Sequence, residues 1–173
     1  ALEDRNFWTN PGYDWYGILR AAYTTLRGEQ VQGASTITQQ LVKNVLIPES
    51  ERMRRDPLDL GTYSRKAREL ILSAEVSKRY SKKQILEWYL NANNYGSVAY
   101  GVEAAADTYF GKHVQDLDLA ECATLAAIPQ YPTLNPVDNP QAAFERRNIV
   151  LDQMLLQGYI TPAETLAAKS TRL

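Results

Sequence analysis

The stretch YSRKARELILSAEVSKRY, residues 63–80, decides the fold class. Leu70, Ile71, Ala74 and Val76 recur at helical intervals, with Arg65, Lys66, Arg68 and Glu69 early in the run. That spacing predicts a helix over 63–80. Downstream, Ser81 followed by Gln84 is a capping box for a helix to about Leu90. Residues 91–97 are turn-rich. Helices are predicted over 101–110 with Gly111 as the stop, from Asp118 with Glu121 to Ala127, from Asn139-Pro140 to Gly158, and from Thr161-Pro162 onward. Upstream, Pro48, Pro57, Gly61 and the charges between Glu49 and Asp56 predict a long exposed loop over 48–62. Ser35 or Thr36 caps a helix to Lys43 or Asn44. Asp14 caps another, with Trp15, Ile18, Leu19, Ala22 and Leu26 on its apolar face and Gly28 as its stop. The expectation is an all-α chain, one domain over 1–173, with no repeat and no linker.

Composition narrows the chemistry. The 173 residues are 45% apolar, enough for a core, and the formal net charge is −1, which argues against a nucleic-acid binder. No stretch reaches the length of a membrane span. One cysteine, Cys122, and one histidine, His113, argue against a Cys/His zinc site and a Ser-His-Asp triad. His113 follows a predicted helix end and reads as a surface residue. Carboxylates, Lys, Arg and Tyr are left to carry any reaction.

Five stretches could hold that chemistry. Glu3-Asp4-Arg5-Asn6-Phe7 sets adjacent carboxylates beside an aromatic ring, which can shift a carboxyl group; a solvated terminal turn fits equally. Residues 33–40, GASTITQQ, put three hydroxyls and two amides at a helix start. Gln40 and Asn44 lie one turn apart, as do Gln39 and Lys43, and such an end suits an anion or is simply a capped helix. Arg65 and Glu69 share a helix face, as a surface ion pair or as part of a phosphate site with Lys66. Lys82, Ile85, Tyr89 and Asn91 look like packing and turn positions. Arg146-Arg147 with Val150 and Leu151 reads as a core stripe with a basic outer edge.

Taken in order, these stretches resemble the glycosyltransferase domain of the peptidoglycan polymerases, the bifunctional penicillin-binding proteins and their monofunctional relatives. The matching patterns are Glu-Asp-x-x-Phe, Gly-x-Ser-Thr-x-Thr-Gln-Gln-x-x-x-Lys-Asn, Arg-Lys-x-x-Glu, Lys-x-x-Ile-x-x-x-Tyr-x-Asn and Arg-Arg-x-x-Val-Leu, over about residues 2–155. The resemblance implies a lysozyme-like helical fold of two lobes, a head and a smaller jaw placed within 21–63. It implies a catalytic domain cut from a longer chain anchored at the extracytoplasmic face of the membrane. The implied reaction polymerises lipid II into β-1,4-linked glycan strands, with inversion and release of undecaprenyl pyrophosphate.

The roles implied by the resemblance fall on named positions. Glu3 matches the general base, with Asp4 and Phe7 supporting it. Glu69 matches the second essential carboxylate, acting on the leaving group directly or through a divalent cation, Mg2+ or Mn2+; no organic cofactor is implied. Lys43, Arg65 and Lys66 match the phosphate-binding cations, and Ser35, Thr36, Gln39, Gln40 and Asn44 the donor-side lining. Arg52 is the candidate for the arginine that holds the acceptor phosphate, in competition with Arg54 and Arg55. The partners implied are lipid II, the growing strand, the membrane surface and a fused or separate transpeptidase domain. Asn10 stands where the family usually has His; Asn cannot carry a full charge, so this position is expected to orient neighbours. A lysozyme-like muramidase or lytic transglycosylase, and a non-catalytic glycan or lipid II binder, are the alternatives.

Overall fold

The computed structural model describes residues 2–27, 35–52 and 60–172, the side chains of residues 21, 22, 25 and 26 excepted. Among them every regular element is helical: α1 (Trp15–Leu26), α2 (Ile37–Leu46), α3 (Glu49–Arg52), α4 (Leu60–Arg79), α5 (Lys82–Ala92), α6 (Val102–Phe110), a 3-10 turn (Val114–Asp116), α7 (Leu119–Ala127), α8 (Pro140–Leu156) and α9 (Pro162–Ser170). The all-α expectation holds. Among the described residues one isolated bridge, Asn94 with Tyr100, lies outside these helices.

The expected start signals act as caps. Thr36, Asp118 and Thr161 each close a capping box with Gln39, Glu121 and Glu164. Ser81 and Gln84 do the same by their hydrogen bonds. Each cap satisfies amide groups that the first helical turn would otherwise leave unpaired. Gly111 ends α6 in the left-handed conformation, φ +62°, which costs glycine nothing.

The expected loop over 48–62 is corrected at both ends. Glu49–Arg52 forms α3, and α4 begins at Leu60, not Tyr63. The Pro48 carbonyl accepts from the Glu51 and Arg52 amides at 3.0 Å, and Glu49 and Glu51 suit the N-terminal charge of α3. Arg68 then reaches from α4 to Glu51, at 2.9 Å and 3.1 Å. Arg54 and Arg55 lie outside the described residues, as does Gly28, the predicted stop of α1. Helices α2 and α5 each run about two residues beyond their expected ends, to Leu46 and Ala92.

The chain forms two compact units, Glu3–Tyr89 and Ala1–Leu2 with Leu90–Leu173. The segment expected to be a jaw, 21–63, falls within the first. In the second unit α7 packs on α8 and α9. Ala120, Ala123 and Ala127 meet Val150, Leu151 and Ala168 there, small residues that let the helices approach closely. Arg147 is fully buried in this unit. Its guanidinium donates to the Thr171 and Lys169 carbonyls at 2.7 Å and 3.0 Å and lies over the Phe144 ring. It thus caps α9 from α8; the reading of Arg146-Arg147 as a basic outer edge fails for Arg147.

His113 is exposed, as expected, and pairs through Nδ1 with Glu103 at 2.7 Å. The hydrogen bond and charge of Glu103 raise the His113 pKa above its ordinary value. A raised histidine contributes stability that is full at pH below its unfolded value and fades as pH rises through the folded one. Glu103→Gln is expected to move the His113 titration, followed by NMR, back toward the ordinary range, with little change in thermal stability at this exposed site.

The first unit is built differently. Its apolar core is Phe7, Leu41, Val42, Ile47, Ile85 and Tyr89, but Asn10, Thr36, Thr38, Gln39, Arg65, Glu69 and Ser73 are buried as well. Buried polar groups on this scale are costly unless paired. Their pairing gathers them at residues 3–12, the start of α2 and the middle of α4.

Candidate active site

The pairing starts at residues 3–12. Asp4 Oδ2 accepts the Ile37 amide at 3.1 Å, so a carboxylate sits on the first amides of α2, where the helix dipole favours it. Asn10 donates from Nδ2 to both Asp4 oxygens at 3.0 Å and accepts through Oδ1 from the Gly12 amide and from Lys82 Nζ, each at 3.0 Å. Thr36 Oγ1 donates to the Gly12 carbonyl at 2.7 Å. Phe7 is buried beneath this network and Lys82 lies over its ring, 4.8 Å from the centroid.

Gly12 has no room for a side chain. Its φ is +100°, and a Cβ there would stand 2.4 Å from the Ser73 carbonyl and 2.5 Å from Ser77 Oγ. Gly12→Ala is expected to destabilise by about 2 kcal/mol or more through backbone strain and overpacking, read as a lowered Tm.

Glu3 is held from one side. Gln40 Nε2 donates to Glu3 Oε2 at 2.8 Å, and Gln40 Oε1 accepts from Tyr89 Oη at 3.3 Å. Tyr89 thereby fixes which end of the amide faces the carboxylate. Glu3 Oε1 is buried and finds no hydrogen-bond partner among the described residues.

Glu69 forms the second centre. It is fully buried on α4, and its carboxylate accepts from Arg65 Nη1 on one oxygen and from Lys66 Nζ on the other at 2.7 Å. Ser73 Oγ donates to the Glu69 carbonyl at 2.5 Å. Arg65 is buried with its partner, whereas Lys66 is half exposed and also reaches Ser35 Oγ at 3.4 Å. The start of α2 therefore touches both centres: Gln40 at Glu3, and Ser35 at the Lys66–Glu69 pair.

A divalent cation at Glu69 would meet a carboxylate already engaged by Arg65 and Lys66. Both of its oxygens already accept from cations, and no group of three His, Cys, Asp or Glu among the described residues is gathered to hold a metal.

The remaining expected residues are spread around these centres. Gln39 is buried and spends its side-chain oxygen on the Thr36 amide at 2.9 Å, which makes it a cap. Lys43 and Asn44 are half-buried on α2. Arg52 donates from Nη1 to the Asn44 carbonyl at 3.2 Å, which satisfies the C-terminal end of α2. Ser73 carries no motif, and Lys82 and Tyr89, expected as packing and turn positions, prove to be polar contacts of Asn10 and Gln40. Lys82 left a signal, since it opens a helix where a cation opposes the dipole.

Comparisons with known proteins bear on the family of the chain. The transglycosylase family model matches residues 1–155. Penicillin-binding protein 1A of Aquifex aeolicus is 48% identical over 166 residues, covering 95% of this chain and 22% of the relative. Penicillin-binding protein 1A of Vibrio cholerae is 42% identical over 172 residues, covering 98% of this chain and 20% of the relative. A crystal structure of penicillin-binding protein 1A from Haemophilus influenzae is similar at 34% identity and a TM-score of 0.50, over 69% of this chain and 18% of that one. The chain spans about a fifth of the length of the curated relatives it matches. With the match of the family model to most of its length, this chain belongs to the transglycosylase family, as a peptidoglycan glycosyltransferase domain of the penicillin-binding protein kind.

Proposed function

We propose that this domain polymerises lipid II into β-1,4-linked glycan strands, with inversion at the donor sugar and release of undecaprenyl pyrophosphate. The observation that carries the reading is the Glu3 carboxylate. One oxygen is fixed by Gln40 and the other is buried and unpaired. That is the state of a general base awaiting a proton. The acceptor 4-hydroxyl is a poor nucleophile, and Glu3 Oε1 takes its proton as the oxygen attacks the donor carbon. Asp4 and Phe7 keep the Glu3 segment on α2.

The leaving group needs no proton, because a pyrophosphate departs as an anion. It needs positive charge. Lys66, half exposed beside Glu69, and Lys43 supply it, and Arg65 adds to the local field. Glu69 accepts on both oxygens, so it orients the two cations and is not a proton donor. Ser35, Gln40 and Asn44 line the donor side, with Thr36 and Gln39 holding the start of α2 as its cap, and Arg52 takes the acceptor phosphate.

The membrane surface belongs to the same reading. Trp15, Tyr16, Leu19 and Tyr23 are exposed on α1, and an apolar cavity of about 460 Å3 lies between α2, α4 and α5, lined by Leu41, Val45, Leu46, Val76 and Trp88. Among the described residues no helix is long and apolar enough to cross a membrane. The parent protein works at the extracytoplasmic face of the membrane, with a transpeptidase domain fused or separate.

Incubation of the chain with labelled lipid II in detergent tests the proposal. Glycan polymer and free lipid pyrophosphate are expected. Intact lipid II, with preformed strands degraded, would point to a muramidase or lytic transglycosylase instead.

A further inference from the structure

Lys82 opens α5, and nothing about a helix start calls for a cation there. The N-terminus of a helix carries the positive end of its dipole and favours anions. The α5 cap is already complete through Ser81 and Gln84. Lys82 is also half-buried, and burial pushes its ammonium below the usual lysine range while Asp4 pulls it back up. Two costs are thus met at one residue, and its contacts say what offsets them. Lys82 Nζ donates to Asn10 Oδ1 at 3.0 Å and lies over the Phe7 ring.

We infer that Lys82 is a positioning residue for the Glu3 base, acting through Asn10 and Asp4. The chain of contacts is continuous. Lys82 fixes Asn10 Oδ1, which sets Asn10 Nδ2 on both Asp4 oxygens, and Asp4 in turn binds the Ile37 amide at the start of α2. Helix α2 carries Gln40, which holds Glu3 Oε2. Asn10 is neutral, so the positive charge this network sets against Asp4 comes from Lys82. The cation of this network is therefore distant in sequence from Asn10 and adjacent in space. Without it the amide is free to turn, and residues 3–12 lose their register on α2. A base displaced by about 1 Å loses up to about 100-fold in rate.

This inference rests on the proposed polymerase reading, and its test separates the two. Lys82→Met, Lys82→Gln, Lys82→Arg, Asn10→Ala and the Lys82→Met/Asn10→Ala double variant are assayed on lipid II for kcat and KM. Amide hydrogen exchange at Gly12 and Ile37 is followed in each. The expected result is a kcat lowered about 30- to 100-fold in Lys82→Met and Lys82→Gln, with KM within about threefold. Lys82→Arg should recover most of the rate, and the double variant should lose no more than either single one. Exchange at Ile37 should quicken in Lys82→Met and Asn10→Ala. A kcat at wild-type level in folded Lys82→Met would overturn the inference, as would losses that multiply in the double variant. If the wild-type chain makes no polymer, the polymerase reading falls, while unchanged exchange at Gly12 and Ile37 in Lys82→Met would overturn the linkage on its own.

Discussion

Glu3→Gln leaves a folded chain that no longer elongates glycan. The substitution keeps the size of the side chain, and its amide oxygen can still accept from Gln40 Nε2, so the hydrogen bond now at 2.8 Å has a replacement. What is lost is the basic oxygen. A glutamine amide takes no proton from a hydroxyl, and general base catalysis of this kind is worth about 10²- to 10⁴-fold. The expected result is a fall in kcat of that size, KM for lipid II within a fewfold of wild type, and a Tm within a few degrees. Steady-state polymerisation beside a thermal melt measures all three. Equal activity in Glu3→Gln would remove Glu3 from the chemistry.

Glu69→Gln should damage both rate and stability. Glu69 is fully buried, and Arg65 beside it is nearly so. Removing the negative charge leaves the Arg65 guanidinium buried without its counter-ion and turns an amide donor toward Arg65 or Lys66. Breaking a buried pair from one side costs about 3–5 kcal/mol, a large share of a stability of about 5–15 kcal/mol. A Tm lowered by about 6–20 °C follows for a chain of this size. Polymerisation, assayed well below that Tm, should still be strongly reduced, because Lys66 loses the partner that orients it toward the leaving pyrophosphate. Full activity at low temperature would confine Glu69 to a structural role.

The helices were legible because their signals are local. Thr36 with Gln39, Asp118 with Glu121 and Thr161 with Glu164 each sit within four residues, and each became a capping box. The loop over 48–62 was misread because Pro and charge are ambiguous there: Pro48 followed by acidic residues opens α3 as readily as it opens a loop. The contact that Arg68 of α4 makes with Glu51 of α3 is tertiary and has no local signal. Arg147 was misread for a similar reason, since a buried guanidinium that caps another helix resembles a basic outer edge in a linear sequence. Within the site, the Arg65–Glu69 contact was legible as an i,i+4 pair, but not its complete burial. The contacts of Lys82 with Asn10 and of Tyr89 with Gln40 span 72 and 49 residues. No periodicity reports a contact of that range.

Glu3 as a base and a glutamate used as a nucleophile predict different products. A base that activates the acceptor hydroxyl gives one displacement, and the donor carbon inverts. A carboxylate that attacks the sugar gives two displacements through a glycosyl-enzyme, and the configuration is retained. The anomeric configuration of the new linkages, read by NMR on strands made by the chain from lipid II, separates them. Inverted, β-linked strands accompanied by one lipid pyrophosphate per bond are predicted. Retained configuration, or a trapped glycosyl-enzyme, would contradict the account.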